Sequence, residues 1–254
     1  MKAREPTPLV STAAMRHAST LLTAASLALL AAGAVAWLLQ RPAFDLRRIE
    51  LRAADGGDLR HVNANAARAA MLGRLSGNFF TLRLDEARRV FESVPWVAAV
   101  SLRRAWPDRL IITVVEHTAI AVWDDGRLLS DRGALFIANV AEAELDGELL
   151  RVDAPPRFST EVARRLPMLV RQAAELGFEL EAIEVSDRAS WILRTASGPV
   201  IELGRDEPAG RLDERLAMLL AHFPTASTQL GNEIQRIDAR YPQGFAVAAA
   251  RKKP

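Results

Sequence analysis

The chain has no cysteine among its 254 residues, which excludes disulfides, thiol nucleophiles and Cys-ligated zinc. It does not fix the compartment, because a domain of this size can live in an oxidising space without bridges. Aromatics are sparse, at 6% with one tyrosine. The four histidines, His17, His61, His117 and His222, stand at no mutual ligand spacing, so a metal centre is unsupported. No G-x-S-x-G, P-loop or G-x-G-x-x-G is present. Charge of one sign is also missing. Thirty-three basic and 31 acidic residues leave +2, which argues against a nucleic-acid binder with a broad basic face.

What is there is a globular composition, half hydrophobic and a quarter charged, long enough for one to three domains. Lys2, Arg4 and Arg16 against Glu5 make the first 40 residues basic, and the rest balances 30 basic against 30 acidic groups. Arg251, Lys252 and Lys253 close the chain as a basic tail, 251–254.

No Asp, Glu, Lys or Arg occurs between Arg16 and Arg41. Leu21 to Leu39 has Thr23 and Ser26 as its polar members; as a helix it is about 28 Å long, close to a bilayer's hydrocarbon core. Trp37 lies near one end, where an indole suits the interface. Ala34-Val35-Ala36 fits a signal-peptidase pattern, but the apolar run is longer than the usual signal core and continues through Trp37-Leu38-Leu39. We expect a transmembrane helix over 18–39 and a cytoplasmic head over 1–17. The basic groups on its two sides nearly balance, so orientation rests on the long folded tail being exported.

After the span the pattern predicts strand, helix, helix, strand, strand. Ile49 and Leu51 alternate with charge, and Asp55-Gly56-Gly57-Asp58 turns. Asn63 or Asn65 starts a helix with Ala67, Ala70, Met71 and Leu75 on one face, ended by Ser76-Gly77-Asn78. Leu84, Ala87, Phe91 and Val94 mark a second, with Asp85 and Glu86 in its first turn and Pro95 as its stop. Strands follow over 97–104 and 109–118 around Trp106-Pro107-Asp108. The second is apolar on both faces and reads as interior.

From Ala119 on, strands dominate. Asp124-Asp125-Gly126 joins 120–123 to 127–130 as a hairpin. An apolar helical stripe runs from Val162 to Leu176, closed by Gly177, with a kink or broken start at Pro167. Further strands are expected at 183–185, 191–195 and 200–203. Asp206 caps a helix with Pro208 in its first turn and Phe223-Pro224 at its end. A last pair, 234–240 and 245–250, is joined by Tyr241-Pro242-Gln243-Gly244.

Candidate chemistry is thin. Glu116-His117 invites a general-base reading, yet strand neighbours point to opposite faces, so a strand-end charge and a surface imidazole are the plainer account. Asp124-Asp125 is hairpin chemistry rather than a carboxylate pair. Arg103-Arg104 and Arg164-Arg165 read as solvated faces. Arg103 and Arg104 stand beside Trp106, and contact with anionic lipid or a partner is their alternative. Trp96 and Trp123 are expected to pack in the core or between domains.

Val94-Pro95-Trp96-Val97, Trp106-Pro107-Asp108-Arg109-Leu110 and Val114-Val115-Glu116 resemble the signature of a POTRA domain. Trp96 through Trp123, Asp131-Arg132-Gly133, and Ile237-Asp238-Ala239-Arg240-Tyr241-Pro242-Gln243-Gly244 resemble the bacterial FtsQ/DivIB cell-division family. The resemblance implies an α+β chain: one transmembrane helix, a POTRA domain (β-α-α-β-β) over 44–118, and a C-terminal mixed β-sheet domain with flanking helices over 119–250. Where the family often ends its last strand in an aromatic, Ala248-Ala249-Ala250 stand here.

The resemblance further implies a non-catalytic scaffold of the divisome in the inner membrane at the septum, its bulk in the periplasm, joining FtsB and FtsL, with FtsK as an upstream partner. No cofactor, metal, nucleic acid or small-molecule substrate is expected. A last strand often lies at a sheet edge, whose free N–H and C=O groups are a template for one more strand. The expected partner-binding residues are Arg240, Tyr241, Gly244, Phe245, Ala246, Val247 and Ala248. Phe245 and Val247 would offer apolar contact and the alanines close approach, with Arg240 meeting a partner carboxylate and Tyr241 acting as a rigid anchor. Without the resemblance, Tyr241 packs the turn and Arg240 keeps the edge soluble. Two other readings stand beside this one: a POTRA protein of outer-membrane or secretion assembly, and a periplasmic wall-modifying enzyme.

Overall fold

The computed structural model describes residues 12–63, 65, 67, 69, 77–230 and 234–249. The chain divides into two compact units. The first holds Met1–Leu59, Asn63–Ser93 and Ala99–Val114; the second holds Arg60–Val62, Val94–Ala98 and Val115–Pro254.

The first unit begins with α1 (Thr12–Leu39). Its stretch Met15–Leu39 is long and apolar enough to cross a membrane, and is the one such helix among the described residues. Leu21, Leu22, Leu27, Leu29, Leu30 and Trp37 are all exposed, whereas a soluble core helix of this composition would bury them.

The POTRA elements follow the expected order as far as they are described. β1 (Arg48–Ala53) pairs in parallel with β3 (Arg109–Glu116), and the sheet order is β1-β3-β2, with β2 spanning Val97–Ala105. β3 is therefore central, and Leu110, Ile111, Ile112 and Val114 are buried on both of its faces. α2 (Leu84–Glu92) buries Ala87 and Phe91 and carries Asp85 and Glu86 where the helix dipole favours them. It ends two residues before Val94. Of the other expected helix, residues 65, 67 and 69 are helical, while Ala70, Met71, Leu75 and Ser76 lie outside the described residues. Arg104 is not simply solvated: it is half-buried and its guanidinium donates to the Leu82 carbonyl.

The second unit is built on one nine-stranded mixed sheet. Its strands are β4 (Ala119–Trp123), β5 (Leu128–Ser130), β6 (Leu135–Phe136), β7 (Leu150–Asp153), β8 (Leu180–Val185), β9 (Ser190–Thr195), β10 (Val200–Arg205), β11 (Ile234–Asp238) and β12 (Ala246–Ala249). The order across the sheet is β12-β11-β10-β9-β8-β7-β4-β5-β6. The Asp-Asp-Gly hairpin forms as expected: Gly126 takes φ +85° and Asp125 Oδ1 accepts the Arg127 N–H at 3.1 Å. Among the described residues three α-helices accompany the sheet: the short α3 (Val140–Ala143), α4 (Ser159–Glu175) and α5 (Arg211–Leu230). Val162, Leu166 and Leu169 of α4 share one core with Leu212, Leu216, Leu219 and Phe223 of α5 and with Ile183, Leu193, Ile201 and Ile237 of the sheet. Each such side chain contributes roughly 1.5–3 kcal/mol on burial.

Several expectations are corrected. β6 and β7 were not anticipated, being two and four residues long; β7 is held between the longer β4 and β8, and β6 pairs with β5 at the far edge of the sheet. α4 runs through Pro167 without a broken start, since its buried stripe holds turns on both sides of the proline. α5 begins after Pro208 rather than around it, although Asp206 does serve it, accepting the Leu212 N–H at 3.0 Å. It also continues past Pro224. Phe223 is buried there, and the Ser227 and Thr228 hydroxyls bond back to the carbonyls of Pro224 and Thr225.

Arg165 was expected on a solvated face and is instead buried, 8% exposed, while Arg164 is exposed. It meets Glu161 at 3.1 Å, Asp213 at 3.3 Å, and Asp206. His117 is likewise no surface imidazole. It is half-buried, stacked on Phe136 with ring centroids 4.3 Å apart, and burial lowers its pKa. Glu116 accepts backbone N–H groups of Arg60, His61 and Val62 at 2.9, 3.0 and 2.6 Å, so its carboxylate is structural. Trp96 and Trp123 are both buried, and Trp96 stacks on His61 at 3.7 Å.

Candidate partner-binding edge

The last two strands come from a short apolar alternation. Ile237 points into the core, fully buried, while Arg236 and Asp238 on either side face outward toward charge. β12 pairs antiparallel with β11, matching Val247 to Ile237, Ala246 to Asp238 and Ala248 to Arg236, with an irregularity between Ile234 and Arg236. β12 is the terminal strand of the sheet. One side of its backbone therefore has no strand neighbour among the described residues, as expected of the last strand.

The seven expected residues do not share one environment. Tyr241 is 55% exposed and rims an open depression of about 530 Å³ with Pro242, Gln243 and Phe245. It does not pack the turn as a buried ring would. Gly244 has ordinary backbone geometry and open space where a Cβ would stand, so the position does not demand glycine. Phe245 turns inward, packed on the core with its ring 6.3 Å from Phe223, and Val247 is half-buried too. Phe245 thus gives part of its ring to the sheet's own core while it also lines the open depression beside Tyr241. Ala246 and Ala248 form the outward face of the strand, and Ala249, on the other face, is exposed as well. With methyl groups alone, that surface lets another chain approach closely.

Arg240 is not a free cation. Its Nε and Nη2 donate to the two Asp238 oxygens at 2.8 and 2.6 Å, and Nη2 lies 3.3 Å from Glu202 Oε2. The backbone N–H of Arg240 also donates to Asp238 Oδ1, at 3.1 Å. This fork holds the Asp238 carboxyl below its usual range and raises the Arg240 pKa, each chiefly through their shared hydrogen bonds. Glu202 on β10 also pairs with Arg236 on β11, so the carboxylates tie β10 to β11 and to the turn that leads into β12. Nη1 of Arg240 makes no hydrogen bond among the described residues. The fixed guanidinium thus presents one side outward.

Beside it opens a cleft of about 610 Å³ lined by Arg188, Arg205, Arg215 and Arg240 with Glu207 as its one acid. Arg215 is anchored there by Nη1, which donates to the carbonyls of Leu203 and Arg205 at 2.6 and 2.7 Å. Two of these cations are already met by carboxylates, Arg240 by Asp238 and Glu202 and Arg205 by Glu207 at 3.6 Å; Arg188 and Arg215 add the positive charge that a further carboxylate would meet. Sequence reasoning missed the cleft, because its arginines come from two loops, a strand end and a helix. The Asp238-x-Arg240 spacing did carry a signal: an Asp at such a turn bonds the backbone two residues on.

Comparison with known proteins agrees with this architecture. A model of the POTRA domain, FtsQ-type, matches residues 56–117, and one of the cell division protein FtsQ/DivIB, C-terminal, matches residues 121–240. The chain is 40% identical over 233 residues to a cell division protein FtsQ of Burkholderia pseudomallei (strain K96243), covering 92% of this chain and 91% of the relative. The chain belongs to the FtsQ/DivIB cell-division family. Other FtsQ relatives include those of Bordetella pertussis (36% identical, 93% of this chain and 91% of the relative) and Thiomonas arsenitoxydans (32%, 83% and 77%). The C-terminal match ends at Arg240, so of the seven expected residues Arg240 lies within the matched segment, and the other six and β12 lie beyond it.

Proposed function

We propose that this FtsQ-family chain is a non-catalytic, single-pass scaffold of the bacterial divisome, and that it takes FtsB, in complex with FtsL, on the open edge of β12. In this reading residues 1–17 form a cytoplasmic head and 18–39 the inner-membrane span. Residues 44–118 and 119–250 act as POTRA and β domains in the periplasm at the septum, with FtsK as a further partner. The family membership makes a role in division the starting point and leaves the outer-membrane assembly reading without support.

The observation that carries the partner site is the position of β12 at the end of the sheet, its exposed side lined by alanines. A partner segment in extended form satisfies the free backbone groups, and main-chain pairing supplies affinity while side-chain pockets supply choice. The arginine cleft selects an acidic side chain on that segment, and Tyr241 covers the contact. The anchor adds effective concentration by holding the scaffold and its anchored partners in one plane.

The test is a photocrosslinking scan with a photoreactive residue placed singly from Tyr241 to Val247 in dividing cells. Crosslinks to FtsB concentrated at exposed positions 241, 246 and 243, and weak at inward Phe245 and Val247, are expected. A scan with no FtsB adduct at any position would sink the assignment of the edge.

A further inference from the structure

Three segments of the first unit meet at the foot of α1. The Asn78 side-chain amide donates to the carbonyl of Leu39, the last residue of the helix. Phe79 N–H donates to the Phe44 carbonyl at 2.8 Å, and Arg47 N–H donates to the Asp108 carbonyl at 2.9 Å. The linker after the span, the turn at 78–81 and the turn at 106–108 are thereby fixed to one another. Asn78 is buried, and its Oδ1 accepts the N–H groups of Phe80 and Thr81 at 3.0 and 3.1 Å. The junction is built, not a loose tether.

Each segment brings aromatic rings to this point. Phe44 meets Phe80 edge-on at 5.1 Å, Phe79 meets Phe80 at 5.2 Å, and Phe79 meets Trp106 at 5.5 Å. A closed miniature core would hide its largest ring. Here Trp106, the largest, is the most exposed at 62%, and Phe80 follows at 43%. At the same level the Arg41 guanidinium lies 3.4 Å from the Trp37 ring centroid, and Arg47, Arg48 and Arg103 are exposed nearby in sequence.

Geometry sets the depth. The 25 residues of Met15–Leu39 make a helix of about 37 Å, against a hydrocarbon core of about 30 Å. A centred helix leaves roughly 4 Å at each end, which puts Leu39 at the headgroup boundary. Asn78 is one hydrogen bond from it, and the rings of Phe80 and Trp106 lie within one ring contact of that turn. Indoles concentrate at this depth, where an apolar body and a polar N–H are both accommodated, and exposed arginines there face lipid phosphates.

We propose that Trp106 and Phe80 dip into the acyl–headgroup boundary of the bilayer crossed by α1, so that the first unit rests on the membrane surface instead of swinging on its linker. The lipid surface is thus a second binding partner of the chain. The inference rests on α1 being a membrane span, and the test separates the two.

Full-length protein is reconstituted in phosphatidylcholine–phosphatidylglycerol vesicles carrying lipids brominated near the headgroup or deep in the chain. Trp96, Trp123 and Trp191 are buried, so Trp37 and Trp106 are the indoles open to bromine. The Trp37→Phe variant should be quenched more by shallow than by deep bromines, and the double variant with Trp106→Phe should lose that quenching. If Trp37→Phe is quenched no more than the double variant while Trp106→Phe, which keeps Trp37, is quenched, the span stands and the surface contact is overturned. If Trp37 escapes bromine as well, the span fails and the surface contact falls with it.

Discussion

The stem of Arg240 crosses directly over Gly204: a Cβ on that glycine would stand 3.0 Å from Arg240 Cγ, on a backbone at φ +73°. Gly204 also sits at the irregularity where β10 shifts register against β9. A bulge on β10 thus makes the room in which the guanidinium of Arg240, two residues past the end of β11, reaches Asp238 and Glu202.

Gly204→Ala should therefore act at two levels. The left-handed backbone costs about 1–2 kcal/mol with a side chain present. The crowded Arg240 stem is flexible and will move, breaking the fork to Asp238. Chemical denaturation should show the stability loss, and titration with purified FtsB should show weakened binding of the same sense as Arg240→Ala. If Arg240→Ala weakens binding and Gly204→Ala leaves it untouched, the placement of the guanidinium does not matter.

Arg165 offers a test of the fold independent of any partner. Its charge is buried and met by Glu161, Asp206 and Asp213, while Asp206 also receives the Leu212 N–H. Removing the cation strands carboxylates that were arranged around it, so Arg165→Ala should cost about 3–5 kcal/mol. Arg164→Ala, one residue away and exposed, should stay within about 0.5 kcal/mol. Equal effects of the two substitutions in urea denaturation would contradict the buried network.

That contrast also shows where the sequence was legible. The span, the central β3, the Asp-Asp-Gly hairpin and the terminal edge strand follow from local patterns: an uncharged run, a two-faced apolar strand, turn chemistry and chain order. Arg164 and Arg165 are identical in type and adjacent. Helical spacing puts Arg165 on the stripe of Val162 and Leu169, but the carboxylate that lets a cation be buried there, Asp206, is 41 residues away. The same holds for Phe245 and Val247. Alternation put them on one side of the strand correctly, but Phe223 on α5 decides that this side faces the core. The arginine cleft is farther still from any local signal.

His117 makes acid sensitivity a prediction. Burial lowers its pKa first, Asp131 opposes that, and Arg132 adds to it. An imidazole held below its ordinary value of about 6.5 binds fewer protons folded than unfolded, so its contribution to stability is complete above that value. The contribution is lost as pH falls from there through the lowered pKa. His117→Phe keeps a ring to stack on Phe136 and removes the titration. The thermal midpoint of the parent should fall more steeply than that of the variant on acidification through this window. Parallel slopes would mean that His117 does not report burial.

Tyr241→Glu is the sharpest probe of the edge. The ring is more than half exposed, so its removal should leave stability within about 0.5 kcal/mol. Its place in the sequence puts the new carboxylate next to Arg240, the cation whose outward side is proposed to receive an acidic group. The substitution thus removes a rigid anchor and offers the cleft a competing anion in one step. A central anchor is worth about 2 kcal/mol or more, which is roughly a 30-fold loss of affinity for FtsB. Tyr241→Phe separates the two effects, since it keeps the ring and brings no charge. It should bind nearly as the parent does, and the glutamate variant should recover part of its affinity when a basic residue is placed at the facing partner position. Unaltered FtsB binding by Tyr241→Glu, with an unaltered melting transition, would remove Tyr241 from the contact and leave the strand's backbone to carry it alone.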